Sequence, residues 1–375
     1  MKIYCILLDT FPKHPKMEKL FKSKSLHFGD YLTQPDTVTT LISMFSGYRP
    51  SEMRDSGIGH SHTYALLSEE DKVIWNEKII FNMLPSDWKI HLHAMPRTRG
   101  DDNAIPTCWP MYNNPNTTPG LRDCKLLPDD ICGRDRDFIF YNYQEDDDEK
   151  NFIKKMQDLP SDENHFIVLK YNHYHDMERG KHDDVFSLFK NIINTIDFKE
   201  ENSLFWLFAD HGEPEGIDEF HSPPDSWLSW ISVTDNISNQ KISKTKIASI
   251  DFKNTILNRI YNKNLPNDVL SDLDTDRIYV AEDSRGRINE YHCTTASAIK
   301  CLDNNKYRQY TVHNAGAPYK NYDNIQEISR IYDGSKYGTS GYMSVINREF
   351  EETNTHEDLK NHLKNGIWSW YFGDE

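Results

Sequence analysis

Three groups of side chains in this 375-residue chain stand where chemistry could be done. Two of them are acids that end apolar runs. Ile3-Tyr4-Cys5-Ile6-Leu7-Leu8 runs straight into Asp9, and Leu204-Phe205-Trp206-Leu207-Phe208-Ala209 runs into Asp210-His211-Gly212-Glu213. The third is a hydroxyl, Thr37, at the head of Thr37-Val38-Thr39-Thr40-Leu41-Ile42-Ser43-Met44-Phe45-Ser46-Gly47. A hydroxyl at the start of a helix lies among free N–H groups and a partial positive charge. Such a place favours an anionic phosphate or sulfate group beside it.

The elements around these residues decide whether they can meet. Short apolar runs bounded by polar residues and flanked by helical patterns fit parallel strands covered on both faces. Open α/β sheets place ligand chemistry just beyond the carboxyl ends of such strands, so Asp9, Asp210 and His211 are expected at one rim. Thr37 sits near an N-cap position, Leu41, Met44 and Phe45 follow at helical spacing, and Gly47 and Pro50 stop the helix. Taken singly, each feature has an ordinary use: an Asp after a strand is commonly a turn former, and a Thr before a helix is commonly only a cap. The reading rests on finding all three, in this order, at the right ends of their elements.

In that order the residues resemble the alkaline phosphatase superfamily, and within it the branch of sulfatases and phosphoethanolamine or phosphoglycerol transferases. Members of that branch have an early strand ending in an acidic metal ligand, then a nucleophile ten residues before a glycine, and later a strand ending in Asp-His-Gly-Glu. Here these are Asp9, Thr37 before Gly47, and Asp210-His211-Gly212-Glu213. The run Ser43-Met44-Phe45-Ser46 is similar to the transferase version, whose nucleophile is a threonine. Phe166 to His175 resembles the strand that carries a substrate-side histidine, with His173 a lesser candidate beside His175. His221 follows the Asp-His-Gly-Glu, and Ile250 to Leu257 is like the family's Asp-x-x-x-Thr-(Ile/Leu)-Leu helix. The resemblance covers about residues 1 to 260 and fades afterwards.

What the resemblance implies is a three-layer αβα sandwich around a mostly parallel sheet. It also implies a divalent metal held by Asp9, Asp210, His211 and the Thr37 oxygen. Such an ion lowers the hydroxyl's pKa and stabilises the oxygens of the transferring group. Thr37 then attacks in line and is transiently esterified, and His175 or His221 protonates the leaving oxygen. Water or an acceptor alcohol ends the cycle, giving a hydrolase or a transferase. The sequence does not separate those endings.

The nucleophile bears on phosphoryl against sulfuryl transfer. Sulfatases of this family convert a Cys or Ser within Cys/Ser-x-Pro-x-Arg into a formylglycine aldehyde. This chain has Thr37-Val38-Thr39-Thr40-Leu41 there, without the Pro or the Arg, and oxidising a threonine yields a ketone. A phosphoester hydrolase or phosphotransferase is therefore the first reading, a sulfuric-ester hydrolase the second, and a non-catalytic binding protein on the same fold the third. One metal is expected rather than two, since Asp9 is followed by Thr10 and no second ligand set stands out. Carboxylate, imidazole and hydroxyl together suit Mn²⁺ or Zn²⁺, with Ca²⁺ behind them because it favours all-oxygen cages. The pairs His60/His62 and His91/His93 sit at strand spacing and are given a structural role.

Composition bounds the rest. A net charge of −16, from 43 Lys and Arg against 59 Asp and Glu, excludes a nucleic-acid backbone as the expected partner. The expected substrate is instead an ester of a small molecule, glycan or lipid headgroup. No apolar run approaches the roughly 18 residues of a membrane span, and the chain opens on a strand rather than a signal sequence, so a cytoplasmic protein is expected. The six cysteines form no CxxC pair and are expected as free thiols. Residues 1–265 are assigned to the catalytic domain and 266–375 to a smaller α+β subdomain. The 51–160 region is read as helix and loop, with a Pro- and Asn-rich insertion from Pro106 to Pro119 near the rim. Asp184 to Ile196 reads as an amphipathic crossover helix. Strand-like pieces at Arg277–Ala281, Ala298–Leu302 and Tyr307–Val312, and a closing helix at Thr355–Trp368, make up the subdomain. The tryptophans are read as core residues before sugar platforms.

Overall fold

The computed structural model describes residues 1–8, 11, 13, 15–34, 37–49, 78–94, 138–142, 149–171, 182–211, 227–238, 240–242, 246–270, 277–285, 293–302, 306–314, 325–333, 350–352 and 356–365. In chain order the elements are β1 (Lys2–Leu8), α1 (Pro15–Ser23), β2 (Gly29–Leu32), α2 (Thr37–Ser46), α3 (Ile80–Met83), β3 (Lys89–Ala94), β4 (Phe138–Asn142) and α4 (Glu149–Gln157). Then come β5 (His165–Tyr171), α5 (His182–Thr195), β6 (Ser203–Phe208), β7 (Leu228–Asp235), β8 (Lys246–Ala248) and α6 (Asp251–Tyr261). The last are β9 (Ile278–Arg285), β10 (Cys293–Cys301), β11 (Lys306–Asn314), β12 (Ile325–Asp333), β13 (Phe350–Glu352) and α7 (Glu357–Leu363).

β1 to β8 form one eight-stranded sheet in the order β4-β3-β5-β1-β6-β7-β2-β8. β4, β3, β5, β1 and β6 run parallel to one another, while β7 runs antiparallel to both β6 and β2. The seven residues of β1 are all buried, as a central strand covered on both faces requires. Alternate residues serve opposite layers. Ile3, Cys5 and Leu7 share a core with Leu41, Met44 and Phe45 of α2 and with Phe252 and Ile256 of α6. Tyr4, Ile6 and Leu8 face Met17 and Phe21 of α1, Phe152 of α4, and Phe189 and Ile192 of α5. The fold is therefore an α/β sandwich of three layers around a mostly parallel sheet. Burying each large apolar side chain of α2 stabilises its seat by roughly 1.5–3 kcal/mol, an upper figure since unfolded chains bury some surface already.

β9 to β13 form a separate five-stranded sheet, every pair antiparallel, in the order β13-β12-β11-β10-β9. One face carries α7 through Val280, Tyr310, Leu359 and Leu363. The other lies on the large sheet, where Tyr279, Ala281, Ile299 and Tyr307 meet Leu32, Trp227, Leu228 and Ala248. The Tyr307 hydroxyl also donates to Asp30 of β2 at 2.7 Å, and Lys13 pairs with the same carboxylate at 2.6 Å.

Several expectations are refined. Residues 51–160 contribute not only helix but two strands, β3 and β4, to the large sheet. The small sheet has two strands more than the three pieces expected, β12 and β13. The crossover helix, expected over Asp184–Ile196, is α5, and the closing helix is described over Glu357–Leu363. Trp206, Trp227 and Trp230 are wholly buried core residues, so they present no face to a sugar. Among the described residues Cys5 and Cys301 are free thiols, and no helix is long and apolar enough to cross a membrane.

Candidate active site

β1 and β6 are neighbours, with Leu7 opposite Phe208, so the two strands end at the same level of the sheet. Beyond β6, the Ala209 N–H donates to the Trp230 carbonyl at 3.2 Å, which holds the chain to β7 for one residue more. Asp210 follows with no exposed surface, and His211 is 9 % exposed. His211 Nε2 lies 3.7 Å from Asp210 Oδ2. Two donors each about 2.1 Å from one tetrahedral ion stand about 3.4 Å apart. The Asp210–His211 pair therefore fits a shared divalent cation.

α2 arrives at the same place from the other direction. Its first turn carries Thr40, a buried residue whose side chain neither faces the apolar core nor reaches solvent. Thr40 Oγ1 accepts the Gln34 backbone N–H at 3.0 Å. Its own proton lies between the Gln34 carbonyl, at 3.1 Å, and the Asp210 carbonyl, at 2.9 Å. One hydroxyl thus fastens the amino end of α2 to the end of β6. Thr33, just before Gln34, is held by its N–H and its hydroxyl to the Trp227 carbonyl, at 2.8 and 3.2 Å. The first turn of α2, whose leading N–H groups have no partner within the helix, is consequently tied to the Asp210 main chain.

The carboxyl end of α2 is closed separately. Gly47 adopts φ +72°, the left-handed conformation that ends many helices, and its N–H bonds to the Ser43 carbonyl at 2.9 Å. Lys253 of α6 donates to the Ser46 carbonyl and to the Lys78 carbonyl, both at 2.7 Å. Burial, with a smaller push from Lys78, lowers this lysine to about 8. Its charge opposes the negative end of the helix dipole. Within α6, Asp251 accepts the Ala248 N–H at 2.9 Å and pairs with Arg277 at 2.7 Å. Thr255 donates to the Asp251 carbonyl at 2.8 Å. The Asp-x-x-x-Thr segment at 251–255 thus carries Lys253, which braces the carboxyl end of α2.

The residues expected in the site divide as follows. Asp210 and His211 are together, and Thr37 is the first residue of α2, on the turn that Thr40 ties to Asp210. Asp9, Glu213, His173, His175, His221, the His60/His62 pair and the Pro106–Pro119 insertion lie outside the described residues. Among the described residues no group of three or more His, Cys, Asp or Glu gathers round one point. His91 is a structural residue: its Nε2 lies 3.1 Å from Nδ1 of His165, and His165 lies 3.5 Å from Glu163. Burial and the neighbouring His165 push His91 down to about 4. His165 opens β5, so this pair is at the opposite end of the sheet from Asp210.

Two residues of consequence escaped the sequence reading. Thr40 left a faint signal, a hydroxyl at a position of α2 that burial would otherwise give to an apolar side chain. Gln34 left none, because its side-chain partners, the Tyr279 hydroxyl and two backbone groups of β9, are about 245 residues away in sequence.

No protein-family model matches the sequence, and comparison with curated proteins finds no match. Among solved structures the chain is similar to a phosphoglycerol transferase, GacH of Streptococcus pyogenes, solved with sn-glycerol-1-phosphate. The identity is 12 % and the TM-score 0.41, over 71 % of this chain and 76 % of that one. It is also similar to a protein in the alkaline phosphatase superfamily from Vibrio parahaemolyticus, at 12 % identity and a TM-score of 0.45, over 100 % of this chain and 88 % of that one. Likenesses of this degree say nothing of activity or substrate, for which the residues of this chain must speak.

Proposed function

We propose that this chain is a metal-dependent phosphoester hydrolase or phosphotransferase of the alkaline phosphatase superfamily, with Thr37 as its nucleophile. The observation that carries the reading is the Thr40–Asp210 bond, because it brings the start of the Thr37 helix to the Asp210–His211 pair across 170 residues of sequence. A cap with no other role needs no such tie. Asp210, His211, Asp9 and the Thr37 oxygen are the residues that would hold the ion, with Mn²⁺ or Zn²⁺ ahead of Ca²⁺. When bound, a divalent ion lowers the pKa of a coordinated hydroxyl and offsets charge on the transferring group.

The protein's own part follows from its elements. The N–H groups at the head of α2 orient the phosphoryl oxygens, and the helix dipole favours their charge. Thr37 Oγ, its proton given up to solvent, attacks phosphorus in line, the bond to the leaving oxygen breaks, and that oxygen takes a proton from His175 or His221. The threonine ester is then opened by water or by an acceptor alcohol. The substrate class is an ester of a small molecule, glycan or lipid headgroup.

The test strips the protein of metal, reloads it with Mn²⁺, Zn²⁺ or Ca²⁺, and offers matched nitrophenyl phosphate, bis-nitrophenyl phosphate and nitrophenyl sulfate. Metal-dependent phosphoester cleavage is expected. Cleavage of the sulfate alone would overturn the assignment in favour of a sulfuric-ester hydrolase.

A further inference from the structure

We infer that Gln34 is a positioning residue of the Thr37 site, fastening the small antiparallel sheet to the loop that starts α2. The inference rests on the proposed role of Thr37. Gln34 is wholly buried, and nothing apolar explains its place. Its side-chain Nε2 donates to the Tyr279 hydroxyl at 2.9 Å and to the Val280 carbonyl at 3.1 Å, while its Oε1 accepts the Glu282 backbone N–H at 2.8 Å. β9 is the outermost strand of its sheet, paired with β10 on one side only. In an antiparallel ladder the carbonyl of one residue and the N–H two residues on point to the same edge. Val280 and Glu282 are such a pair, and the Gln34 amide answers both, as the peptide group of a further strand would.

The main chain of Gln34 is bound as tightly as its side chain. Its N–H and carbonyl both engage Thr40 Oγ1, and Thr40 engages the Asp210 carbonyl. An unbroken line of hydrogen bonds therefore runs from β9 through Gln34 and Thr40 to Asp210. The small sheet sets where the first turn of α2 sits, and hence where the main chain of Thr37 stands relative to Asp210 and His211. A side chain that can neither donate nor accept leaves two edge groups of β9 buried without these partners, and the loop must shift or admit water to serve them.

The test compares wild type with Gln34→Met, similar in length but without the amide, and with Tyr279→Phe, a milder change that removes one of the three contacts. Hydrogen exchange of the Gln34 amide, which Thr40 Oγ1 accepts, and of the 41–44 amides of α2 is read alongside turnover of nitrophenyl phosphate at saturating metal. Gln34→Met is expected to lower kcat on the order of 100-fold with KM within about twofold, the signature of a misplaced nucleophile. Tyr279→Phe is expected to lower kcat about three- to tenfold. In both, exchange is expected to quicken at 34 and 41–44 and not at β1 or β6, which needs no activity to observe. Unchanged exchange at 34 and 41–44 in both variants would overturn the inference whether or not the wild type turns over. So would a kcat equal to wild type in folded Gln34→Met, since a purely structural clamp lowers stability alone. A wild type inactive on the ester, with exchange quickened at 34 and 41–44, would support the clamp and refute the proposed activity.

Discussion

Replacing Thr40 by valine keeps the shape of the side chain and removes only its hydroxyl. With it go an acceptor for the Gln34 N–H and a proton shared between the Gln34 and Asp210 carbonyls. The Gln34 N–H, 3.0 Å from Oγ1, loses its acceptor in a buried place, at a cost of about 1–3 kcal/mol. The bond to the Asp210 carbonyl, 2.9 Å long, contributes about 0.5–1.5 kcal/mol. With no relaxation, Thr40→Val should destabilise the protein by about 2–4 kcal/mol; with relaxation, part of that loss becomes a displacement of α2 from Asp210 and appears as lost turnover. Thr40→Ser retains the hydroxyl and sheds one methyl group, worth about 0.8 kcal/mol. The assay is urea unfolding followed by circular dichroism, with midpoints compared at constant slope, and kcat on nitrophenyl phosphate for each variant. The expected order is wild type, Thr40→Ser, then Thr40→Val well below both. A valine variant as stable and as active as the serine variant would refute the tie between α2 and β6.

Burial that holds Lys253 near 8 has a defined sign. Between pH 8 and the ordinary lysine value of about 10.4, the unfolded chain keeps a proton that the native protein has lost, so this group's contribution makes stability rise with pH across that window. Lys253→Met should flatten that rise in the urea midpoint. His91, pushed down to about 4, acts at the acid end. From pH about 6.5 down to 4 the unfolded chain takes up a proton that the native His91 refuses, so stability falls on acidification, and His91→Gln should reduce the slope by about one proton. Gly47→Ala should cost about 1–2 kcal/mol for its left-handed backbone alone. Its new Cβ would also stand 3.1 Å from Lys253 Cδ, so the midpoint should fall and the pH dependence of Lys253 should change with it.

The parts of the fold legible in the sequence are those whose signal is local. β1 and β6 are continuous apolar runs that stop at an acid, and α2 begins at a hydroxyl and ends at a glycine that takes positive φ. Each boundary is fixed by residues within one turn or one strand of it. β12 gave no such signal: in Ile325-Gln326-Glu327-Ile328-Ser329-Arg330-Ile331-Tyr332-Asp333 the isoleucines fall every third residue, and a buried arginine, Arg330, breaks the alternation a strand would show. Nor is the direction of β7 written in its residues, since antiparallel placement beside β6 depends on Leu204 meeting Asp235. The site divides in the same way. Asp210 and His211 are adjacent in sequence and stay adjacent in space, whereas Gln34 acts through the Tyr279 hydroxyl and the backbone of β9. Pairings of that kind are set by the packing of distant elements, which no window of sequence contains.

The central claim is that Thr37 is the nucleophile, and the most direct measurement is to stop the reaction while it runs. Metal-loaded protein turning over nitrophenyl phosphate is quenched in acid and digested, and the peptide bearing Thr37 is weighed, with Thr37→Ala carried in parallel. The predicted result is one phosphoryl group on Thr37, dependent on metal and substrate, with turnover abolished in the alanine variant. Turnover by Thr37→Ala at the wild-type rate, with no phosphoryl group on Thr37 in the wild type, would contradict it.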